Sequence, residues 1–288
     1  MHAIETDKLT KTYGTSRGIT ELQLKVDQGD FFGFIGPNGA GKSTTIRTLL
    51  GLISPTGGSA KVLSYDIVTE KDKILKNVGY LPSEINFSSG MKVKDVIKYS
   101  ADLRHKNCKE ISDVLCERLG IDVNKKVDDL SLGNRKKVGI VCAIQHEPEL
   151  LILDEPTSGL DPLMQREFFE ILTEQNKKGA TIFFSSHILS EVQSHCNTAA
   201  FIRDGRIIVS DSVEKLEETG AKKVEVVGAF ESGGLKGISD LKNDGNNTSF
   251  LFKGDISELL KTLADCKLCN VNITEPTLEE IFMNYYEV

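Results

Sequence analysis

Long apolar runs are what this sequence has least of. Those present are short, of the kind Leu150-Leu151-Ile152-Leu153, and none approaches the roughly 18 residues that a membrane-spanning helix needs. Work at a membrane would therefore need another subunit to supply the span. The N-terminal Met1-His2-Ala3-Ile4-Glu5 carries no signal-peptide pattern, so the chain is expected in the cytosol. Basic blocks are missing too. The 35 Lys and Arg residues face 42 Asp and Glu for a net charge of −7, and no cluster of them forms a nucleic-acid footprint, so no such partner is expected. A full set of metal-ligating cysteine pairs is also absent. Cys108, Cys116, Cys142, Cys196, Cys266 and Cys269 are scattered, and Cys266-Lys-Leu-Cys269 has no second Cys or His pair nearby. It reads as packing, with six free thiols in a reducing compartment. With 288 residues, 39% of them hydrophobic, the chain can build one large α/β domain and a smaller one.

What is present begins with Gly36-Pro37-Asn38-Gly39-Ala40-Gly41-Lys42-Ser43, followed by Thr44. It matches G-x-x-x-x-G-K-[ST], comes after the apolar Phe31-Phe32-Gly33-Phe34-Ile35 and leads into a helical pattern. The glycines let consecutive backbone N–H groups turn on an anion, Lys42 reaches β- and γ-phosphates, and the Ser43 hydroxyl joins a Mg²⁺ shell.

Around this loop the pattern alternates. Leu22 to Val26 reads as a half-buried strand, Thr44 to Leu50 as a helix ended by Gly51, and Leu52 to Gly58 as a breaker cluster. Val93 to Gln145 has helical periodicity, with Ile111, Val114, Leu115 and Leu119 on one face and Gly120 closing that helix. Residues 150–154 read as a buried strand, Asp161-Pro162 as an N-cap followed by a first-position proline, and 181–185 and 199–203 as further strands. Such alternation predicts an α/β core with a parallel sheet. Glu214 to Lys223 is charged and reads as helix or linker. Beyond it come strands at 224–226, 250–252 and 271–273, loops over Glu231 to Asn247, and two helices. Ile256, Leu259, Leu260 and Leu263 share a face of one, and Leu278, Ile281, Phe282 and Tyr285 a face of the other.

An acid ending a buried strand, beside a phosphate loop, is explained by metal binding: Asp154 is expected to hold Mg²⁺, directly or through water. Glu155 is expected to orient or deprotonate an attacking water. A third segment, Asp129-Leu130-Ser131-Leu132-Gly133-Asn134-Arg135, puts a serine and a glycine at a predicted helix start and forms a second anion site. Two phosphate sites in one chain mean either two phosphates in one pocket or two chains sharing one nucleotide.

Here the sequence resembles the ATP-binding subunits of ABC transporters over roughly residues 3–210. Gly36 to Thr44 matches the Walker A motif, Leu150 to Glu155 Walker B, and Ser158-Gly159-Leu160-Asp161 the D-loop. His187 matches the switch histidine that contacts the γ-phosphate, and Tyr13 matches the aromatic that stacks on adenine. The resemblance implies a P-loop NTPase of ABC type. Its parts would be a mixed sheet core, an antiparallel β subdomain and a helical insert about 85–146, in a domain over 1–211. A linker at 212–222 and a small α+β domain at 223–288 would follow. It also implies an ATPase using ATP and Mg²⁺, with Glu155, His187 and Lys42 catalytic and with Ser43 and Asp154 on the metal. Ser131, Leu132, Gly133 and Asn134 would act on nucleotide held by a second subunit, in a dimer expected to be a homodimer. The partner would be a multi-span membrane permease, with the chain peripheral on the inner face of the cell membrane.

Two departures stand out. Leu132 and Asn134 replace a glycine and a glutamine of the usual signature, and leucine there is similar to exporter ATPases for drugs and antimicrobial peptides. The glutamine expected after Gly79-Tyr80-Leu81-Pro82 is absent; Ser83 stands there, with Glu84 next. Either a water bridges from Ser83, or Glu84 substitutes, or coupling runs otherwise. The tail, with Pro276-Thr277-Leu278-Glu279-Glu280-Ile281-Phe282, also resembles the exporter branch and implies a regulatory or dimer-stabilising role; a packing appendage is the other reading. The expected function is an exporter ATPase for drug, peptide or lipid-like substrates. The alternatives are an importer ATPase, a soluble ABC protein acting on ribosomes or DNA, and a regulatory nucleotide-binding module.

Overall fold

A computed structural model describes residues 1–14, 16–217, 221–231 and 233–276, with the side chains of residues 16 and 17 left aside. The chain divides into two compact units, Met1–Asp211 and Ser212–Val288.

The first unit is organised by a six-stranded sheet. Its central strands are β4 (Phe31–Ile35), β8 (Leu150–Asp154) and β9 (Thr181–Ser186), each buried along its whole length. β7 (Val78–Leu81), β10 (Thr198–Arg203) and β11 (Arg206–Ser212) complete the order β11-β10-β4-β9-β8-β7. The pairs β10–β4, β4–β9, β9–β8 and β8–β7 are parallel. Burial on both faces explains why these strands read as continuous apolar runs. Side chains alternate between the faces. Phe32 and Phe34 pack on Phe183, with ring centroids 5.6 and 5.4 Å apart, while Phe31 and Phe169 meet Phe184 on the other side. Burying each such ring contributes roughly 1.5–3 kcal/mol.

A second, five-stranded sheet lies over the first of these faces. It contains β1 (His2–Tyr13), β2 (Ser16–Leu22), β3 (Lys25–Asp27), β5 (Gly57–Val62) and β6 (Tyr65–Asp66). Its order is β2-β1-β5-β6, with β3 also on β1, and the pairings are antiparallel. One core joins the two sheets through Ile4, Leu9, Ile19, Phe32, Phe34, Ile152, Phe183 and the helix residues Ile46 and Leu49. The single strand expected over Leu22 to Val26 is instead the end of β2 and the start of β3. The chain breaks between them because Thr6 of β1 takes up both loose ends: its Oγ1 donates to the Leu22 carbonyl and accepts from the Leu24 N–H, both at 2.8 Å.

Helices connect the strands: α1 (Lys42–Leu49), α2 (Lys71–Asn77), α3 (Val93–Asp102), α4 (Lys109–Arg118), α5 (Leu132–Ile144), α6 (Pro162–Lys177) and α7 (Leu189–His195). α3 to α5 form an insert between β7 and β8. The buried face of α4 is Ser112, Leu115 and Cys116, continued by Leu119, whereas Val114 is 55% exposed. The aliphatic residues alone misplaced that face because a serine and a cysteine share it. Arg118 ties the insert to α6: its Nε donates to Glu167 at 2.6 Å, and its two terminal nitrogens to Glu174 at 2.6 and 3.0 Å.

The second unit begins with α8 (Val213–Glu217), in the charged stretch read as helix or linker. β12 (Lys222–Ala229), β13 (Ile238–Asp244), β14 (Asn247–Phe252) and β15 (Lys267–Thr274) form an antiparallel sheet in the order β13-β14-β12-β15, joined by α9 (Ile256–Asp265). β13 lies inside the stretch expected to be loops. Its core is Val224, Val226, Phe250, Phe252, Leu259 and Leu263. Ile256 and Leu260, expected on the same buried face of α9, are exposed. The helix expected over Leu278, Ile281, Phe282 and Tyr285 lies outside the described residues.

Candidate functional site

The site assembles where three neighbouring parallel strands, β4, β9 and β8, end at the same edge of the sheet. From β4 the chain passes through the loop 36–41 into α1. Gly41 caps α1 at φ 110°, a backbone value that glycine adopts without a Cβ penalty. The first-turn N–H groups of a helix have no partner within it, and the helix dipole favours an anion there. Ser43 and Thr44 stand in that turn, half-buried. Lys42, only 6% exposed, folds back into the loop: Nζ donates to the Gly36 carbonyl at 2.6 Å and the Pro37 carbonyl at 3.3 Å.

The same ammonium lies 3.0 Å from Glu155 Oε1. This is a charge contact rather than an aligned hydrogen bond, for among the described residues Oε1 has no hydrogen-bond partner. The other oxygen, Oε2, is 2.7 Å from His187 Nδ1. A carboxylate only accepts, so Nδ1 carries the proton when Glu155 is ionised. Glu155 sits at φ 47°, an uncommon conformation for a residue with a side chain. Its N–H, 3.2 Å from the Ser185 carbonyl and 3.1 Å from Ser185 Oγ, holds it there. Backbone strain of this kind concentrates at functional sites, where the surrounding structure enforces it.

Asp154 is fully buried. Ser185, its register partner on β9, donates Oγ–H to Oδ1 at 2.7 Å. Among the described residues Oδ2 has no hydrogen-bond partner. A buried carboxylate oxygen left unsatisfied is costly, and a cation bound beside it would remove that cost.

Four expected residues thus come together: Lys42, Asp154, Glu155 and His187 are joined through direct contacts and through Ser185. The signature segment lies elsewhere. Ser131 is the N-cap of α5, and its Oγ accepts from the Asn134 N–H at 3.3 Å. Gly133 packs on the D-loop so closely that a Cβ there would sit 2.7 Å from the Gly159 carbonyl oxygen. Leu132 projects outward, well exposed. Ser158 donates its N–H to the Glu155 carbonyl at 3.3 Å, and Asp161 caps α6 by accepting from the Met164 N–H. Among the described residues no hydrogen bond or ion pair joins Ser131 to Asn134 with Lys42. Tyr13, at the end of β1, is 44% exposed, with the Lys11 ammonium 5.2 Å from its ring centre.

Ser83 is half-buried and Glu84 exposed. The Ser83 and Pro82 carbonyls receive Lys136 Nζ, at 3.2 and 3.4 Å. Burial lowers the Lys136 pKa to about 8, against the pull of Asp154 and Glu155. Burial and then the Asp154 charge raise the Tyr80 phenol, with Arg47 opposing them. Ser185 and Lys136 both escaped the reading of the sequence. For Ser185 a signal existed, as a hydroxyl closing a buried strand. A lysine on a helix gives none.

Fold and site together define a P-loop ATPase, and comparison with known proteins specifies it. Residues 19–158 match the family described as ABC transporter. The bacitracin transport ATP-binding protein BcrA of Bacillus licheniformis is 36% identical over 225 residues, covering 77% of this chain and 74% of that protein. The ABC transporter ATP-binding protein YhaQ of Bacillus subtilis is 32% identical over 289 residues, 96% of each chain. A solved ATP-binding subunit of an ABC transporter superposes with a TM-score of 0.71 at 27% identity, over 75% of this chain and 92% of that one. The chain belongs to the ABC transporter family, as an ATP-binding subunit that hydrolyses ATP and works with a membrane permease. Among the described residues no helix is long and apolar enough to cross a membrane.

Proposed function

We propose that this chain works as a homodimer on the inner face of the cell membrane, where ATP hydrolysis drives a separate multi-span permease that exports drug-, peptide- or lipid-like substrates. The export direction is supported by Leu132 in the signature segment and by the similarity to a protein named for bacitracin transport. The hydrolytic reading is carried by one observation: Glu155 is held between Lys42 and His187 at the end of the strand that carries Asp154.

Each residue then has a task. The loop amides of 36–41 and the α1 N-terminus bind the β- and γ-phosphates, and Lys42 exchanges its carbonyl and carboxylate partners for phosphate oxygens. Tyr13 offers an exposed ring to adenine. Ser43 and the unpaired Asp154 Oδ2 would hold Mg²⁺, and the donor set, a hydroxyl and a carboxylate, suits that hard cation. Bound there, Mg²⁺ supplies neutralisation of the phosphate charge. Glu155 orients a water and takes its proton as the water oxygen bonds to the γ-phosphorus and the bond to the β-bridging oxygen breaks, releasing ADP. His187, fixed through Nδ1 to Glu155, would donate from Nε2 to a γ-phosphate oxygen as the doubly protonated imidazolium, the form in which both ring nitrogens are donors. Ser131 and Gly133 of one subunit close over nucleotide held by the other. The exposure of Ser131 and Leu132, and the absence of any bond from them to Lys42 among the described residues, support this arrangement.

The experiment is Glu155→Gln, assayed for steady-state hydrolysis and nucleotide binding. The variant is expected to bind ATP and to lose at least about a hundredfold in turnover. Turnover equal to wild type would refute the role of Glu155.

A further inference from the structure

Lys136 belongs to none of the segments that the family resemblance singles out, yet it is 3% exposed. Lysine side chains normally carry their ammonium to water, and burial without hydrogen bonds is unfavourable. Here Nζ turns inward from the second turn of α5 and donates to the carbonyls of Ser83 and Pro82, 53 and 54 residues away in sequence. These two residues follow β7 directly, and β7 ends at Leu81, the register partner of Leu153. Pro82 therefore leaves the sheet level with Asp154.

A second contact closes the same joint. Ile85 packs on Gly139, one turn along α5, so tightly that a Cβ on Gly139 would lie 2.4 Å from Ile85 Cδ1. The segment 82–85 is thus held to α5 at two points.

We propose that Lys136 is a positioning residue for ATP hydrolysis: its hydrogen bonds register α5, which presents Ser131 and Gly133, against the chain leaving β7 beside Asp154 and Glu155. This rests on the functional reading above. The side chain spans the insert and the sheet, the two parts that must keep a fixed relation if the signature segment and Glu155 are to meet opposite ends of one dimer. Two of its three N–H donors are used on the carbonyls. Asp154 and Glu155 are the carboxylates whose charge reaches it and favours the ammonium.

The test compares Lys136→Met, which removes the donors at similar length, with Lys136→Gln, which keeps donors without charge. ATP-binding stoichiometry and Kd are measured on each purified protein, and turnover is expressed per nucleotide-binding site. Lys136→Met is expected to keep its binding stoichiometry and its Kd within about twofold, while turnover per site falls about ten- to a hundredfold, the scale of a misplaced catalytic geometry. Lys136→Gln is expected to recover at least about half of wild-type turnover. Lys136→Ser, which leaves room for water, carries the same comparison if the methionine variant does not fold. Wild-type turnover in Lys136→Met would overturn the proposal, as would a glutamine variant as slow as the methionine one. A wild-type chain that neither binds nor hydrolyses ATP would overturn the functional reading itself.

Discussion

Ser185 makes the account quantitative. Its hydroxyl and Asp154 Oδ1 are 2.7 Å apart and both residues are fully buried, so Ser185→Ala leaves a carboxylate oxygen with nothing in exchange. A hydrogen bond to a charged group contributes roughly 1.5–3 kcal/mol. The Glu155 N–H loses less, since the Ser185 carbonyl at 3.2 Å remains. In a unit of this size each kcal/mol moves the melting temperature by about 2–4 °C, so the Met1–Asp211 unit should melt about 3–12 °C lower. The functional effect is separate. Removing the partner that orients a metal-binding carboxylate typically costs about 10–100-fold in metal affinity, and half-saturation of the ATPase by Mg²⁺ should rise by that factor. Calorimetry reads the first effect and a Mg²⁺ titration of turnover the second. An unshifted melting temperature together with unchanged Mg²⁺ half-saturation would refute the role assigned to Ser185 and the reading of Asp154 as a metal ligand.

Three other variants probe different parts of the molecule. Lys42→Ala removes the cation of the phosphate loop, and ATP affinity measured with a fluorescent analogue should fall about 10–100-fold; unchanged affinity would contradict the binding role. Gly133→Ala sets a methyl 2.7 Å from the Gly159 carbonyl oxygen, so turnover should fall about tenfold or more while ATP binding by a single subunit persists. Full activity would mean that the signature–D-loop contact is not needed. Arg118→Met breaks a partly exposed fork to Glu167 and Glu174 that contributes below about 1 kcal/mol. Hydrogen bonding from Arg118 holds the Glu174 carboxyl below its ordinary range. A folded-state value lower than the unfolded one gives stability that is present at neutral pH and lost as pH falls through the folded value. The melting difference between wild type and variant should therefore close in acid, and a difference persisting well under the glutamate range would exclude this ion pair as its source.

What could be read from the sequence, and what could not, follows from how far each contact reaches along the chain. The β4–loop–α1 turn is local, and its glycines and lysine stand in consecutive positions. β8 and β9 were legible because burial on both faces leaves continuous apolar runs. β13 was not. It is an edge strand, and its residues are mostly exposed beyond Ile238, so no alternating pattern marks it. β1 shows no single alternating run either, because irregular registers at Asp7/Thr10 and Leu9/Lys11 interrupt its pattern. In the site, Lys42, Asp154 and Glu155 declare themselves by type and neighbourhood. Ser185 and Lys136 become meaningful only when strands and helix bring them to carbonyl or carboxylate oxygens 31 and 53 positions away.

Nucleotide shared between two copies of this chain is the claim on which the functional account depends. The direct test is the mass of purified Glu155→Gln, measured by light scattering with saturating Mg²⁺–ATP and again after nucleotide removal. The account predicts a dimer with ATP that dissociates when nucleotide is withdrawn, and whose formation Ser131→Arg abolishes. A strictly monomeric protein under ATP saturation, also in the presence of its permease, would contradict it.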